Sequence, residues 1–116
     1  MIFGDARNSR VFIRPGPTDM RKSINGLSVM AQQQMGGDPF DGSLFAFCNR
    51  RRNIIKMLYW DRNGFCLWLK RLEEDKFIWP RDAEECMELS GEQLNWLLRG
   101  LDFRRAHEKR QYTTVV

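Results

Sequence analysis

Between two runs rich in β-branched and aromatic residues, Ile54–Trp60 and Phe65–Leu72, the chain reads Asp61-Arg62-Asn63-Gly64. Asn-Gly between such runs is the strongest short-range signal for a β-hairpin, because both residues tolerate φ > 0. Two further breaks flank the hairpin: Asn49–Asn53, three arginines between asparagines, and the charged Glu73–Lys76. The stretch from Leu44 to Pro80 therefore reads as a β-meander with strands at Leu44–Cys48, Ile54–Trp60, Phe65–Leu72 and Phe77–Trp79.

Upstream, Val11-Phe12-Ile13 is a short strand candidate, ended by Arg14-Pro15-Gly16-Pro17, where two prolines oppose helix and ladder alike. Thr18 then reads as a helix N-cap with Asp19 in the first turn. Met20, Ile24, Leu27, Ala31 and Met35 recur at three-to-four spacing, which predicts an amphipathic helix over Asp19–Gln34, stopped by Gly36-Gly37. Gly26 inside that helix suggests close packing against a strand. The turn Asp38–Gly42 is expected to deliver Phe40 to the core. Downstream, Pro80 and the acidic Asp82–Glu88 run break the sheet and read as a solvated loop. Ser90 caps a second helix, Gly91–Arg99, with Leu94, Leu97, Leu98 and Leu101 as its apolar stripe and Gly100 as its stop. The fold predicted is α+β: an antiparallel meander sheet of four to five strands, packed by one N-terminal and one C-terminal helix. Residues 1–9 read as a flexible lead-in, 10–103 as one domain and 104–116 as a polar, mobile tail.

Function classes are narrowed by what the chain contains. No apolar run approaches the roughly 20 residues that span a bilayer, and the polar start is not a secretory signal. A cytoplasmic protein with no membrane partner is expected. Cys48, Cys66 and Cys86 are widely spaced, and the one histidine, His107, lies in the polar tail, so no zinc-ligand pattern arises. Cys48 and Cys66 are expected to be small buried thiols. No nucleophile motif or P-loop occurs, and the carboxylates Asp19, Asp41, Asp61 and Glu73–Asp75 fall outside strand interiors, unlike those that hold catalytic metals. Neither an enzyme nor a cofactor is expected.

Charge is unevenly placed. Residues 10–71 carry eleven Lys/Arg against four Asp, whereas residues 72–116 carry seven basic against ten acidic side chains. A basic front part with interleaved aromatics points to a polyanion, foremost nucleic acid. Arg50-Arg51-Arg52 is the sharpest signal: a turn exposes three planar forks that match phosphate oxygens, and the nearest carboxylates in sequence are Asp41 and Asp61. Arg14 with Arg21 and Lys22 forms a second candidate patch, beside a helix start whose free N–H groups also favour anions. In the hairpin, an Asn63-Gly64 turn pairs Lys56 with Arg71, Leu58 with Leu69, Trp60 with Leu67 and Arg62 with Phe65. A four-residue loop would change that register. Alternation then puts Lys56, Trp60, Arg62 and Arg71 on one face, with Ile55, Met57, Tyr59 and Trp68 on the other. That first face is either a polyanion-binding surface or a core face whose charges blunt sheet edges.

The run FCNRRRNIIKMLYWDRNGFCLWLKRLE, with GPTDMRKSINGL upstream and LNWLLRGLD downstream, resembles one family across residues 10–103. It is similar to the small accessory protein, TnpB or Orf-two-like, encoded by insertion sequences of the IS-sixty-six type. The resemblance implies a role in DNA transposition beside a separate transposase that carries the catalytic acids, and it supplies no catalytic residue to this chain. Two functions follow as expectations: binding of transposon-end DNA through the basic residues, or docking of the transposase or another acidic partner without DNA contact. Dimerisation through a sheet edge is compatible with either.

Overall fold

Leu44–Cys48 is buried at all five positions, as a strand must be when it is covered on both faces. In the computed structural model, which describes residues 10–81 and 86–105, it is β2, the middle of a five-stranded sheet. The elements run β1 (Val11–Pro17), α1 (Ile24–Gln33), β2 (Leu44–Cys48), β3 (Ile54–Asp61), β4 (Gly64–Arg71), β5 (Met87–Leu89) and α2 (Gly91–Leu98), and the sheet order is β4-β3-β2-β1-β5. β2–β3 and β3–β4 are antiparallel, as expected. β1 lies parallel to β2 through the α1 crossover, and β5 runs antiparallel to β1. The sheet is therefore mixed rather than purely antiparallel. The lead-in, Asp82–Glu85, His107 and the rest of the tail from residue 106 lie outside the described residues.

Each sheet face has its own core. On one, α1 seats Leu27, Met30 and Ala31 with Met35 against Phe45, Phe47 and Leu58. On the other, α2 seats Leu94 and Leu97 with Phe77, Trp79 and Phe103 against Val11, Ile13, Ala46, Ile55 and Met57. The second helix is specified locally at both ends. Ser90 and Gln93 form a capping box. At the other end Gly100, at φ +77°, donates to the Leu97 carbonyl and Leu101 donates to the Trp96 carbonyl, closing a Schellman motif. Leu101 itself is 39% exposed and is not among the residues of the buried stripe.

Several expectations are corrected, each for a physical reason. α1 begins at Ile24, five residues later than predicted. Asp19 accepts its hydrogen bond from the Arg21 amide, the Thr18 amide donates to the Cys48 carbonyl, and the Thr18 hydroxyl is taken by Arg14. Local side-chain bonds of this kind compete with a helical start. Gly26 faces the Lys22 side chain, not a strand. It is Gly37 that makes the close approach, because a Cβ there would lie 2.6 Å from the Phe45 ring. β1 continues through both prolines by breaking its register between Ile13 and Pro17, with Gly16 at φ +81°. Prolines are tolerated at such irregularities. Phe77–Trp79 forms no ladder: it crosses beneath the sheet, the Phe77 amide donating to Arg52 O and the Trp79 indole to Arg14 O and Gly16 O. The fifth strand comes instead from Met87–Leu89, where a loop was expected, and its Glu88 pairs with Arg10 at 2.8 Å.

The hairpin register also differs. Asp61 pairs with Gly64 and Trp60 with Phe65, so Arg62-Asn63 is the two-residue loop and Arg62 takes φ +56°. Lys56 now faces Leu69 and Arg71 faces Ile54, which removes the like-charge opposition. The partner shifts by two residues, so parity and hence the face assignment survive. Gly64 has no positive φ and open space around its Cβ position. Gly64→Ala should leave stability within about 0.5 kcal/mol of wild type in chemical denaturation. Arg62→Val, a branched side chain forced to positive φ, should cost about 1–2 kcal/mol. The opposite order would restore the Asn63-Gly64 turn.

Candidate nucleic-acid interface

β1 and β2 run parallel, so their carboxyl ends meet at one end of the sheet, beside the β2–β3 connection Asn49–Asn53. That connection is locked by a side chain. Asn49 Oδ1 accepts from the amides of Asn53 and Ile54, both at 3.0 Å, and Asn49 Nδ2 donates to Asn53 Oδ1 at 2.7 Å. The Arg52 amide closes the turn on Asn49 O at 3.1 Å. From outside, the Phe77 amide donates to Arg52 O at 2.6 Å and the Leu72 amide to Asn53 O at 2.8 Å. Arg52 holds φ +61°, a left-handed conformation that a non-glycine residue keeps only when its surroundings dictate it.

This lock presents three guanidiniums. Arg50 and Arg51 are exposed and Arg52 is half-buried. Among the described residues none of the three forms an ion pair or side-chain hydrogen bond. Arg50 and Arg52 line a cavity of about 240 Å³ together with Gly16, Pro17, Asn49, Trp79 and Arg81. Arg51 faces away, toward a second depression of about 310 Å³ shared with Glu73–Lys76. Beneath the turn, burial pushes the Cys48 thiol up to about 12, against a smaller opposing pull from Asn49 and Arg52. Cys48 is thus an unreactive core thiol at neutral pH, while Cys66 and Cys86 are only half-buried.

The other sequence-predicted site residues divide by what they touch. Arg14 spends Nε on Gln34 and Nη1 on Pro17 O and Thr18 Oγ1, bracing the bend between β1 and α1. Lys56 Nζ donates to Met20 O at 2.6 Å and Lys22 O at 3.0 Å, fastening that same bend to β3. Arg21 grips Asp19 at 2.7 Å. The Arg21 hydrogen bonds hold the Asp19 carboxyl down at about 2. Because that folded value is depressed, the pair is intact above the ordinary 3.8 and is lost only as pH falls toward 2. Arg71 pairs with Glu73 at 3.0 Å, whereas Lys22 is exposed and unpaired among the described residues. Arg62 stands at the far end of β3, roughly 23 Å along the strand from the arginine turn at about 3.3 Å per residue. Trp60 is there too, in an aromatic cluster with Phe40 and Phe65 at centroid distances of 5.0–5.3 Å. Phe40 is 58% exposed, contrary to the core position expected of it.

Arg81 escaped the sequence reading. It directly precedes the acidic run taken as a solvated loop, and only the return of Trp79-Pro80 to β1, fixed by the Gly16 amide on Pro80 O at 2.8 Å, brings it beside Arg50 and Arg52. Among the described residues no three His, Cys, Asp or Glu side chains converge as metal ligands, and no helix is long and apolar enough to cross a membrane.

A mixed sheet with a locked arginine turn at one end is thus the class of architecture in hand. The chain belongs to the IS66 Orf2-like protein family, whose model matches residues 9–108, and this ties it to insertion sequences of the IS66 type. It is similar to two proteins of Sinorhizobium fredii. One, described as uncharacterized protein y4hO, is 37% identical over 94% of this chain and 95% of its own length. The other, uncharacterized protein y4jC, is 32% identical over 93% of this chain and 92% of its own length. No solved structure matches significantly.

The two hydrogen bonds of Lys56 make a stability prediction. Lys56→Met removes two charge-assisted bonds and strands two carbonyls, and should cost about 2 kcal/mol in urea denaturation. An unchanged midpoint would mean that the bend before α1 does not depend on Lys56.

Proposed function

We propose that the protein is a non-catalytic accessory factor for transposition of its insertion sequence, one that holds DNA at the arginine-turn end of the sheet and assists a separate transposase in the cytoplasm. The observation that carries the reading is the Arg50–Arg52 turn: three adjacent guanidiniums, fixed by backbone hydrogen bonds and without an acidic partner among the described residues. Such an array gives phosphate contacts, hence affinity and register rather than base readout. Arg81 lines the same cavity as Arg50 and Arg52, and Lys22 is a further exposed cation before α1. Arg14 and Lys56, bonded to neutral acceptors, add to the positive field, whereas Asp19 and Glu73 offset Arg21 and Arg71. Transposon ends are the DNA that the family context favours.

A second reading rests on a different observation. Phe40, 58% exposed, clusters with the half-buried Trp60 and Phe65 at the opposite end of the hairpin, with Arg62 at the tip. Exposed aromatics next to an arginine are typical anchors of protein interfaces, and this surface supports an adaptor role toward the transposase. The two surfaces sit at opposite ends of β3 and are compatible in one complex.

A salt titration of binding to transposon-end and scrambled duplexes tests the DNA reading. Arg50/Arg51/Arg52→Ala should weaken binding and flatten the slope of log K against log salt by about 2.7, the value for three lost phosphate contacts. Little difference between the two duplexes is expected from the phosphate contacts alone. Wild-type binding absent near physiological salt, or a slope untouched by the triple change, would refute this reading and leave the adaptor surface as the functional one.

A further inference from the structure

The cavity beside the arginine turn differs from a flat basic patch in ways that bear on what enters it. Its floor is Trp79, only 4% exposed, and the indole N–H is already spent on Arg14 O and Gly16 O. The Gly16 amide is likewise spent on Pro80 O, and a Cβ there would be strained at φ +81°. The floor thus offers neither a free ring face for base stacking nor a competing backbone donor. Arg50, Arg52 and Arg81 line one opening together, with no acidic residue in the lining among the described residues. At about 240 Å³ the space lies below the roughly 300–1,000 Å³ of drug-sized ligand sites. It suits a small anion.

Internal and terminal phosphates meet such a space differently. An internal phosphodiester carries one charge and continues into sugar on both sides, so it needs a groove open at two ends. A terminal phosphomonoester is tethered on one side only, carries about −1.5 to −2 charges at pH 7 and presents three acceptor oxygens. Planar guanidinium forks match those oxygens in pairs. We propose that the Arg50/Arg52/Arg81 cavity seats the terminal phosphomonoester of a DNA strand. This rests on the DNA-binding reading and adds to it a preference for phosphorylated strand ends over continuous duplex.

The test is fluorescence anisotropy on short blunt duplexes of one sequence, ending in a 5′-phosphate, a 3′-phosphate or hydroxyls, in phosphate-free buffer near physiological ionic strength. The variants are Arg52→Asn, which suits positive φ, Arg81→Gln and, as a control outside this cavity, Arg51→Gln. One phosphorylated end should bind about tenfold tighter than the hydroxyl duplex, and the arm that gains identifies which end is seated. The gain, taken as the ratio of phosphorylated to hydroxyl duplex affinity, should disappear in Arg52→Asn and Arg81→Gln and persist in Arg51→Gln, with circular dichroism and the thermal midpoint reporting that the variants fold. Equal affinity for all three duplexes would overturn the inference and leave the basic turn as a general phosphate contact. A gain that survives both cavity variants would overturn the placement, and wild-type protein that binds none of the three duplexes would overturn the DNA reading itself.

Discussion

The cationic end of this molecule depends on one side-chain amide. Asn49 satisfies two backbone amides and clamps Asn53, so that Arg50-Arg51-Arg52 must project from a closed turn. Like charges oppose such closeness, but weakly: two unit charges about 6 Å apart in water repel by about 0.7 kcal/mol. A net intramolecular hydrogen bond contributes about 1 kcal/mol, and the turn has the Asn49 set plus the bonds from Phe77 and Leu72. The backbone lock outweighs the repulsion, so the arginines stay presented whether or not an anion is there. Preorganisation of this kind lowers the ordering cost of binding.

The rest of the fold serves the same end. The α1 crossover makes β1 and β2 parallel and brings their carboxyl ends together, the location at which open α/β sheets form ligand crevices. Lys56 and Arg14 hold the intervening bend by capturing its carbonyls, and the 77–81 segment crosses under the sheet to complete the cavity wall. Basic residues that looked equivalent in the chain thus fall into two kinds. Some are internal fasteners, and others are free forks facing outward. The aromatic cluster at the opposite end of the hairpin is a separate surface with its own chemistry.

Where local chemistry decides structure, the chain was readable. β2, the three antiparallel strands through β4, the face alternation of β3 and the caps of α2 all follow from patterning and end signals. The arginine turn was legible too, because its asparagines and lack of nearby acids are sequence facts. What escaped reading depends on distant partners. Parallel pairing of β1 with β2 has no period of its own. The late start of α1 depends on Cys48 O and Lys56 claiming the Thr18–Lys22 backbone. Phe40 looked like core because it is apolar, yet it packs on Trp60 and Phe65 at the surface. Arg81 reached the cavity through Trp79, whose indole bonds span more than sixty residues. The Asn-Gly signal marked the hairpin correctly and misplaced its loop by one position, an error that strand parity absorbed.

Asn49→Ala tests the account most directly, because it alters the geometry of the arginine turn and leaves its charge untouched. Amide exchange at Asn53 and Ile54 and affinity for duplex DNA would be measured on the same protein. Faster exchange at those amides together with a several-fold loss of affinity is the predicted result, since loosened forks must be reordered on binding. Faster exchange with unchanged affinity would contradict it and show that net charge, not a held turn, governs the interaction.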